Sequence, residues 1–390
     1  MSDRKISLGE GLASIPERLL LAHARGRVLF IVGAGVSKDA GLPDFRDLVV
    51  DVYKQTDGAV HGAISDLRPE ARDLSGVDTS NLDARQLAEA KRFVSKDYDI
   101  VLGMLERRID GEPRGDSLVR QAIATRLRRP GTRPHAMHKA LMRLADRGGV
   151  VTIVTTNFDL LLEDAHPSVQ TYALGGIPRP GPRNDFSGVL HIHGALDSNP
   201  KRTSDLIVSD QDFGEFYLRR RVVPDFIYDA ARLFNLVLVG YSANDPPMRY
   251  LLNAVAADGT RFDDLKDRYT FFGASKPEPA DLEDWKGRGI TPIYYDDTNG
   301  HEALRKSLER WADLSAINGE NDLIDHEIKR IVRTNRSAAS DADRDLFDHL
   351  IRRGSSNERQ RLSALASKYE ADLGWLDAIA AVLTERTRER

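Results

Sequence analysis

The stretch from Val28 to Arg46, V-L-F-I-V-G-A-G-V-S-K-D-A-G-L-P-D-F-R, leaves few folds open to a chain that contains it. Its unbroken apolar run after Arg27 suits a strand of a parallel sheet covered on both faces by helices. Gly33-Ala34-Gly35 then lets the backbone turn sharply and come close to a ligand. A helix starting near Gly35 would aim free N–H groups at that ligand, which favours an anion such as a pyrophosphate. The dinucleotide fingerprint asks for a third glycine at position 38, where this chain has Lys38, so spacing does not support a hydride-transfer Rossmann site. A G-x-G after a strand is weak evidence taken alone. The segment that follows adds to it: Gly41 to Arg46 is a turn with φ fixed at Pro43, and it presents Asp44 to accept, Phe45 to stack and Arg46 to bind anions.

With 390 residues, 41% hydrophobic and 30% charged, the composition fits a soluble globular protein with one large core or two to three domains. A net charge of −4 gives no electrostatic footprint for direct nucleic-acid binding. The absence of cysteine excludes disulfides and thiolate metal sites. No run approaches the ~20 apolar residues of a membrane span, and the N-terminus lacks a signal pattern, so the expected location is cytoplasmic.

Leu12, Ile15, Leu19 and Leu20 recur with a helical period, which predicts a helix over Ile6 to Arg25 with Pro16 in its first turn. Asp47 to Lys54, Ala84 to Ile109 (one or two helices), Leu118 to Leu127 and His138 to Leu144 read as further helices. Val150 to Thr155 reads as a second strand by its β-branched run, and it delivers Thr156, Asn157 and Asp159 at its C-terminal end, where open α/β sheets bind ligands. An Asn and an Asp in such a turn also serve Asx-type backbone bonding. His191-Ile192-His193 alternates, so both imidazoles are expected on one face of a strand. Three readings compete there: a metal site with Asp159 and Asp197, a satisfied buried His191, and a His193 that works as a near-neutral base. Leu236 to Val239 is another strand, running into Gly240, Ser242 and Asp245; Tyr269 to Gly273 and Ile290 to Tyr295 follow, with a closing helix over His301 to Trp311. From Ala316 the texture changes to charge-rich helical segments over Leu323–Val332, Asp343–Ile351, Arg359–Leu365 and Leu373–Leu383.

Four blocks in order carry a resemblance. G-A-G-V-S-K-D-A-G-L-P-D-F-R resembles the first signature of the sirtuins, the NAD-consuming deacylase family. Val154 to Asp159 resembles their T-Q-N-I-D motif, Leu190 to Leu196 their L-H-G-S-L motif, and Val239 to Ser242 their late G-T-S motif. The match covers about Arg27 to Tyr295. It implies an α/β fold with a doubly wound parallel, Rossmann-like sheet, a helical insert at about 47–129 and a catalytic domain over 1–315. A helical region over 316–390 is left for oligomerisation or partner docking. In sirtuins a small helical module at the place of the insert closes over the cofactor; plain helical packing is the equal alternative.

By resemblance, Asn157 holds the nucleophile or the ribose hydroxyls and His193 is the general base. Gly33, Ala34, Gly35, Ser37, Asp44, Phe45, Arg46, Thr156, Asp159, Gly240, Ser242 and Asp245 line the NAD site. Thr156 departs from the family, which has a glutamine there. The family's paired zinc cysteines are missing, so its zinc module is absent and the acyl-lysine groove that it shapes is put in doubt. The expected function is therefore cleavage of NAD at the nicotinamide–ribose bond with water as acceptor. Similar sirtuin-like proteins of bacteria deplete NAD in anti-phage defence, which implies regulation by homo-oligomerisation or by a translocase-type (HerA-like) ATPase partner. A protein deacylase and a non-catalytic NAD or ADP-ribose-binding subunit are the alternatives.

Overall fold

The structure is a computed structural model that describes residues 4–111, 117–128, 130–174, 176–181, 187–196, 206–241 and 265–388, the side chains of 383–388 excepted. Seven strands form a parallel α/β sheet: β3 (Val28–Val32), β4 (Thr152–Thr155), β5 (Thr171–Ala173), β6 (Gly188–His191), β7 (Asn235–Val239), β8 (Arg268–Gly273) and β9 (Thr291–Tyr295), in the order β5-β6-β4-β3-β7-β8-β9. The pairs β3/β4, β4/β6, β5/β6 and β8/β9 run parallel. β1 (Lys5–Ser7) and β2 (Ser14–Pro16) form a separate antiparallel hairpin. From β3 the chain winds to one side through β4 and β6, then returns to the other side of β3 as β7. That reversal puts the crevice of a doubly wound sheet at the C-terminal ends of β3 and β7.

The described chain divides into two compact units. One comprises 29–139 and 152–268 and holds every described candidate site residue. In it β3 is buried at each of its five positions, as its unbroken apolar run requires. The insert consists of helices Phe45–Thr56, Gly58–Ile64, Ala84–Val94, Tyr98–Ile109 and Leu118–Leu127. They share a core of Leu48, Val52, Phe93, Leu102, Leu105 and Ile123 that also takes in Phe158 and Val208. The 84–109 run is two helices because Lys96, with φ of 62°, breaks it.

The second unit comprises 1–28, 140–151 and 269–390. Here the expected helix over Ile6 to Arg25 is corrected to the β1/β2 hairpin followed by a helix over Glu17–Ala24, since Gly11 at φ of 70° turns the chain and Pro16 sits at the helix start. The helices after Ala316 bury Ile324, Ile328, Ile331, Leu346, Leu350 and Ile379 inside this unit, and Trp375 stacks 4.6 Å from Phe347. Their apolar positions are thereby mostly accounted for within the chain, with Leu373 an exception at 77% exposure. Among the described residues no helix is long and apolar enough to cross a membrane.

Candidate functional site

Gly33 directly follows β3 and Gly240 directly follows β7, and the two strand ends are laced together. Gly33 N donates to Val239 O at 2.9 Å and Gly35 N to Gly240 O at 3.0 Å. A Cβ on Gly33 would stand 2.7 Å from Gly240 O, and one on Gly35 2.9 Å from it. Gly240 has φ of 77°, and its own Cβ would meet Val36 N at 2.7 Å. These glycines are required by a close approach of the chain to itself. The helix expected near Gly35 is a 3₁₀ helix, Ala34–Ala40, whose entry is tied to β7 in this way.

Four side chains converge beside this turn. Asn157 Nδ2 donates to Gly33 O and to Ser37 Oγ, each at 3.2 Å. Ser37 Oγ donates to Asp159 Oδ2 at 3.0 Å and lies 3.3 Å from His138 Nε2. His138 Nδ1 receives the His135 N–H at 3.1 Å, so its proton sits on Nε2 and points at Ser37. Burial, with His135 nearby, lowers the His138 pKa to about 4, which keeps the ring neutral. Burial likewise raises the Asp159 carboxyl. Asn157 is held from behind as well: its N–H donates to Thr155 Oγ1 at 2.9 Å, and that hydroxyl donates to Val32 O at 3.0 Å.

The two histidines of the third motif do not share a face. β6 ends at His191, and Gly194 N returns to His191 O at 3.1 Å with φ of 95° at Gly194, so Ile192 and His193 lie in a turn. His191 Nδ1 meets Asn157 O and its Nε2 meets Glu163 Oε1, both at 2.8 Å. His193 Nε2 meets Tyr217 OH at 2.6 Å, with the Phe213 ring 5.6 Å and the Tyr217 ring 5.8 Å from its own. Burial brings the His193 pKa down to about 3 and pushes the Tyr217 hydroxyl well above 10. Tyr217 belongs to a π-helical segment, Gly214–Arg219, of a kind that recurs at functional sites.

The other expected residues sit around this centre in different ways. Asp44 caps the helix Phe45–Thr56 by accepting from Asp47 N at 2.9 Å, and it pairs with Lys38 at 2.9 Å. Phe45 stands edge-on to Tyr98 at 6.1 Å. Arg46 turns into the insert, bonding Leu67 O and lying 5.3 Å over the Phe93 ring. Thr156 Oγ1 meets Tyr241 OH at 2.9 Å, and that hydroxyl donates to Val32 O at 3.0 Å. Ser242, Asp245 and Asp197 lie outside the described residues. Among the described residues no three His, Cys, Asp or Glu side chains are arranged for a metal. His138, Glu163, Tyr217 and Tyr241 join the cluster without having been singled out in the sequence. Their signals were the His135/His138 pair at a helix start, the Phe213/Tyr217 pair at i, i+4 and the place of Tyr241 inside the Val239 to Ser242 motif.

Residues 151–293 match the model of a family described as the SIR2-like domain. Over 395 aligned residues the chain is 31% identical to an uncharacterised protein, y4cA, of Sinorhizobium fredii (strain NBRC 101917 / NGR234), an alignment with 94% of this chain. It covers 29% of that relative, so the chain spans less than a third of its length. Solved structures overlap at low similarity, among them three of Sir2 proteins. One is described as a structural basis for the mechanism and regulation of Sir2 enzymes (14% identity, 76% of this chain and 95% of that one, TM-score 0.34). The second is a Sir2 homologue–NAD complex (16%, 78% and 95%, TM-score 0.35), and the third a Sir2 homologue mutant with ADP-ribose (17%, 75% and 95%, TM-score 0.36).

Proposed function

We propose that this chain, a sirtuin-like protein with a SIR2-like domain, binds NAD at the C-terminal ends of β3 and β7 and hydrolyses it to nicotinamide and ADP-ribose. The observation that carries the reading is the setting of Asn157. Its amide N–H groups are committed to Gly33 O and Ser37 Oγ, which leaves the carboxamide oxygen as the acceptor for a ribose hydroxyl or a water. The C–N bond from the ribose to nicotinamide breaks with its electron pair leaving on the neutral nicotinamide. A water oxygen bonds the resulting oxocarbenium carbon and its proton passes to His193. Ser37 and Asp159 fix Asn157 and the ribose, Phe45 shields the nicotinamide side, and Gly33, Ala34, Gly35, Arg46, Thr156, Gly240, Ser242 and Asp245 complete the cofactor surface as the resemblance assigns them.

His193 must be uncovered for this chemistry, because Tyr217 holds its Nε2. The segment 210–219 therefore has to move before turnover. An enzyme that consumes a central cofactor needs such restraint, and the resemblance supports release by a homo-oligomer or an ATPase partner within an anti-phage defence system of the cytoplasm. The test is incubation of the full chain, and of its Tyr217→Ala variant in which His193 is uncovered, with NAD alone and chromatography for free nicotinamide. A deacylase releases nicotinamide only with acylated peptide, and a pure binder releases none.

A further inference from the structure

We infer that His191 is a positioning residue: a doubly protonated imidazole clamped between the Asn157 carbonyl and the Glu163 carboxylate, which fixes the turn that carries Asn157. Both of its ring nitrogens face acceptors. A backbone carbonyl cannot donate, so Nδ1 carries a proton toward Asn157 O at 2.8 Å. Glu163 Oε1, at 2.8 Å from Nε2, already receives the Thr171 hydroxyl at 2.9 Å, which suits an ionised carboxylate and leaves the proton on Nε2. An imidazole that donates from both nitrogens is an imidazolium.

The surroundings agree with that charge. His191 is fully buried at the end of β6, in register with Thr155 of β4 on one side and Ala173 of β5 on the other. The charged groups that face it are Glu163 from the helix Leu161–Ala165 and Asp159 from the turn after β4. Burial alone would lower its pKa, but the hydrogen bond and charge of Glu163, the Asn157 carbonyl and Asp159 together raise it. Loss of its proton would leave two half-buried carboxylates without their cation and would aim a nitrogen lone pair at either Asn157 O or Glu163. The turn at Asn157 would then lose its anchor on that side. The inference deepens the proposed reading, because Asn157 is the group that NAD cleavage relies on; a role confined to packing would not tie Asn157 to a titration.

The experiment is nitrogen-detected histidine NMR on the full-length chain, read together with the Asn157 side-chain amide signals across pH. The expected result is a His191 with both nitrogens protonated at pH 7, and Asn157 signals that shift on the same midpoint as His191. In Glu163→Gln that shared midpoint falls by at least ~1 pH unit. A His191 that is a single neutral tautomer at pH 7 in the unmodified chain, or an Asn157 that ignores its titration, overturns the inference. NAD cleavage is read separately on the same samples. If the coupled titration is present and no nicotinamide appears from the parent or from Tyr217→Ala, the clamp stands and the NAD reading fails.

Discussion

His191 and His193 are two residues apart and both fully enclosed, yet their surroundings have little in common. His191 has a carbonyl and a carboxylate on its two nitrogens, and its pKa is raised; His193 sits against two aromatic rings and a tyrosine hydroxyl, and its pKa falls to about 3. Burial pushes both in the same direction, so the difference is made by partners alone. One ring is built to keep a charge and hold a turn. The other is a neutral base under a cover. A His-x-His pattern that reads as a pair in sequence is thus two devices, because the strand ends between them.

The widest separation expected between the two is in catalysis. His193→Ala should lower NAD cleavage by ~10²–10⁴-fold with the far-ultraviolet circular dichroism preserved, as loss of a positioned base does. Asn157→Ala should match it. A His193→Ala protein that cleaves NAD like the parent would remove His193 from the base role and dissolve the contrast.

The second difference is access. Diethyl pyrocarbonate should modify His193 slowly in the parent and at least ~10-fold faster in Tyr217→Ala, where the hydroxyl and ring that cover it are gone. His191 should stay unreactive in both. Equal rates at His193 in the two proteins would show that Tyr217 is not its cover.

Stability against pH should then separate them by sign. A lowered pKa means that the unfolded chain binds the proton more tightly, so His193 costs stability as pH falls from about 6.5 toward about 3. A raised pKa means the reverse, and the contribution of His191 is present below about 6.5 and is lost as pH climbs through its raised value. Urea titrations across pH should show His193→Gln flattening the acid side and His191→Gln the alkaline side. The smallest effect is that of Thr171→Val. Removing the hydroxyl that donates to Glu163 should cost about 0.5–1.5 kcal/mol in the same titrations and nothing at His193.

Much of the sheet was legible because its strands are rich in β-branched, aromatic and other apolar residues. β3, β4, β7, β8 and β9 stand within two residues of where β-branched and aromatic runs put them. β5 was not, since its three residues form a sheet edge with none of them buried and carry no apolar pattern. The β1/β2 hairpin was misread because Leu12, Ile15 and Leu19 mimic a helical period while Ile6 and Ile15 pair across it. At the site, Asn157 and Asp159 could be placed from the strand that delivers them. Their hydrogen bonds to Ser37, and the His138 behind it, come from contacts across more than a hundred residues that no local pattern encodes. Tyr217 meets His193 from 24 residues away, which no local pattern encodes either, and Arg46 points into the insert because Leu67 and Phe93 take it there. Glycines 33, 35 and 240 were readable as special positions, though what each approaches is backbone of this chain.

The most direct measurement compares nicotinamide release from NAD by three full-length proteins: the parent, Tyr217→Ala, and Tyr217→Ala combined with His193→Ala. If His193 is the covered base of an NAD-cleaving site, release rises in the single variant above the parent and falls at least ~100-fold when His193 is also removed. Release that is the same with and without His193 in the uncovered protein, or none from any of the three, would contradict it.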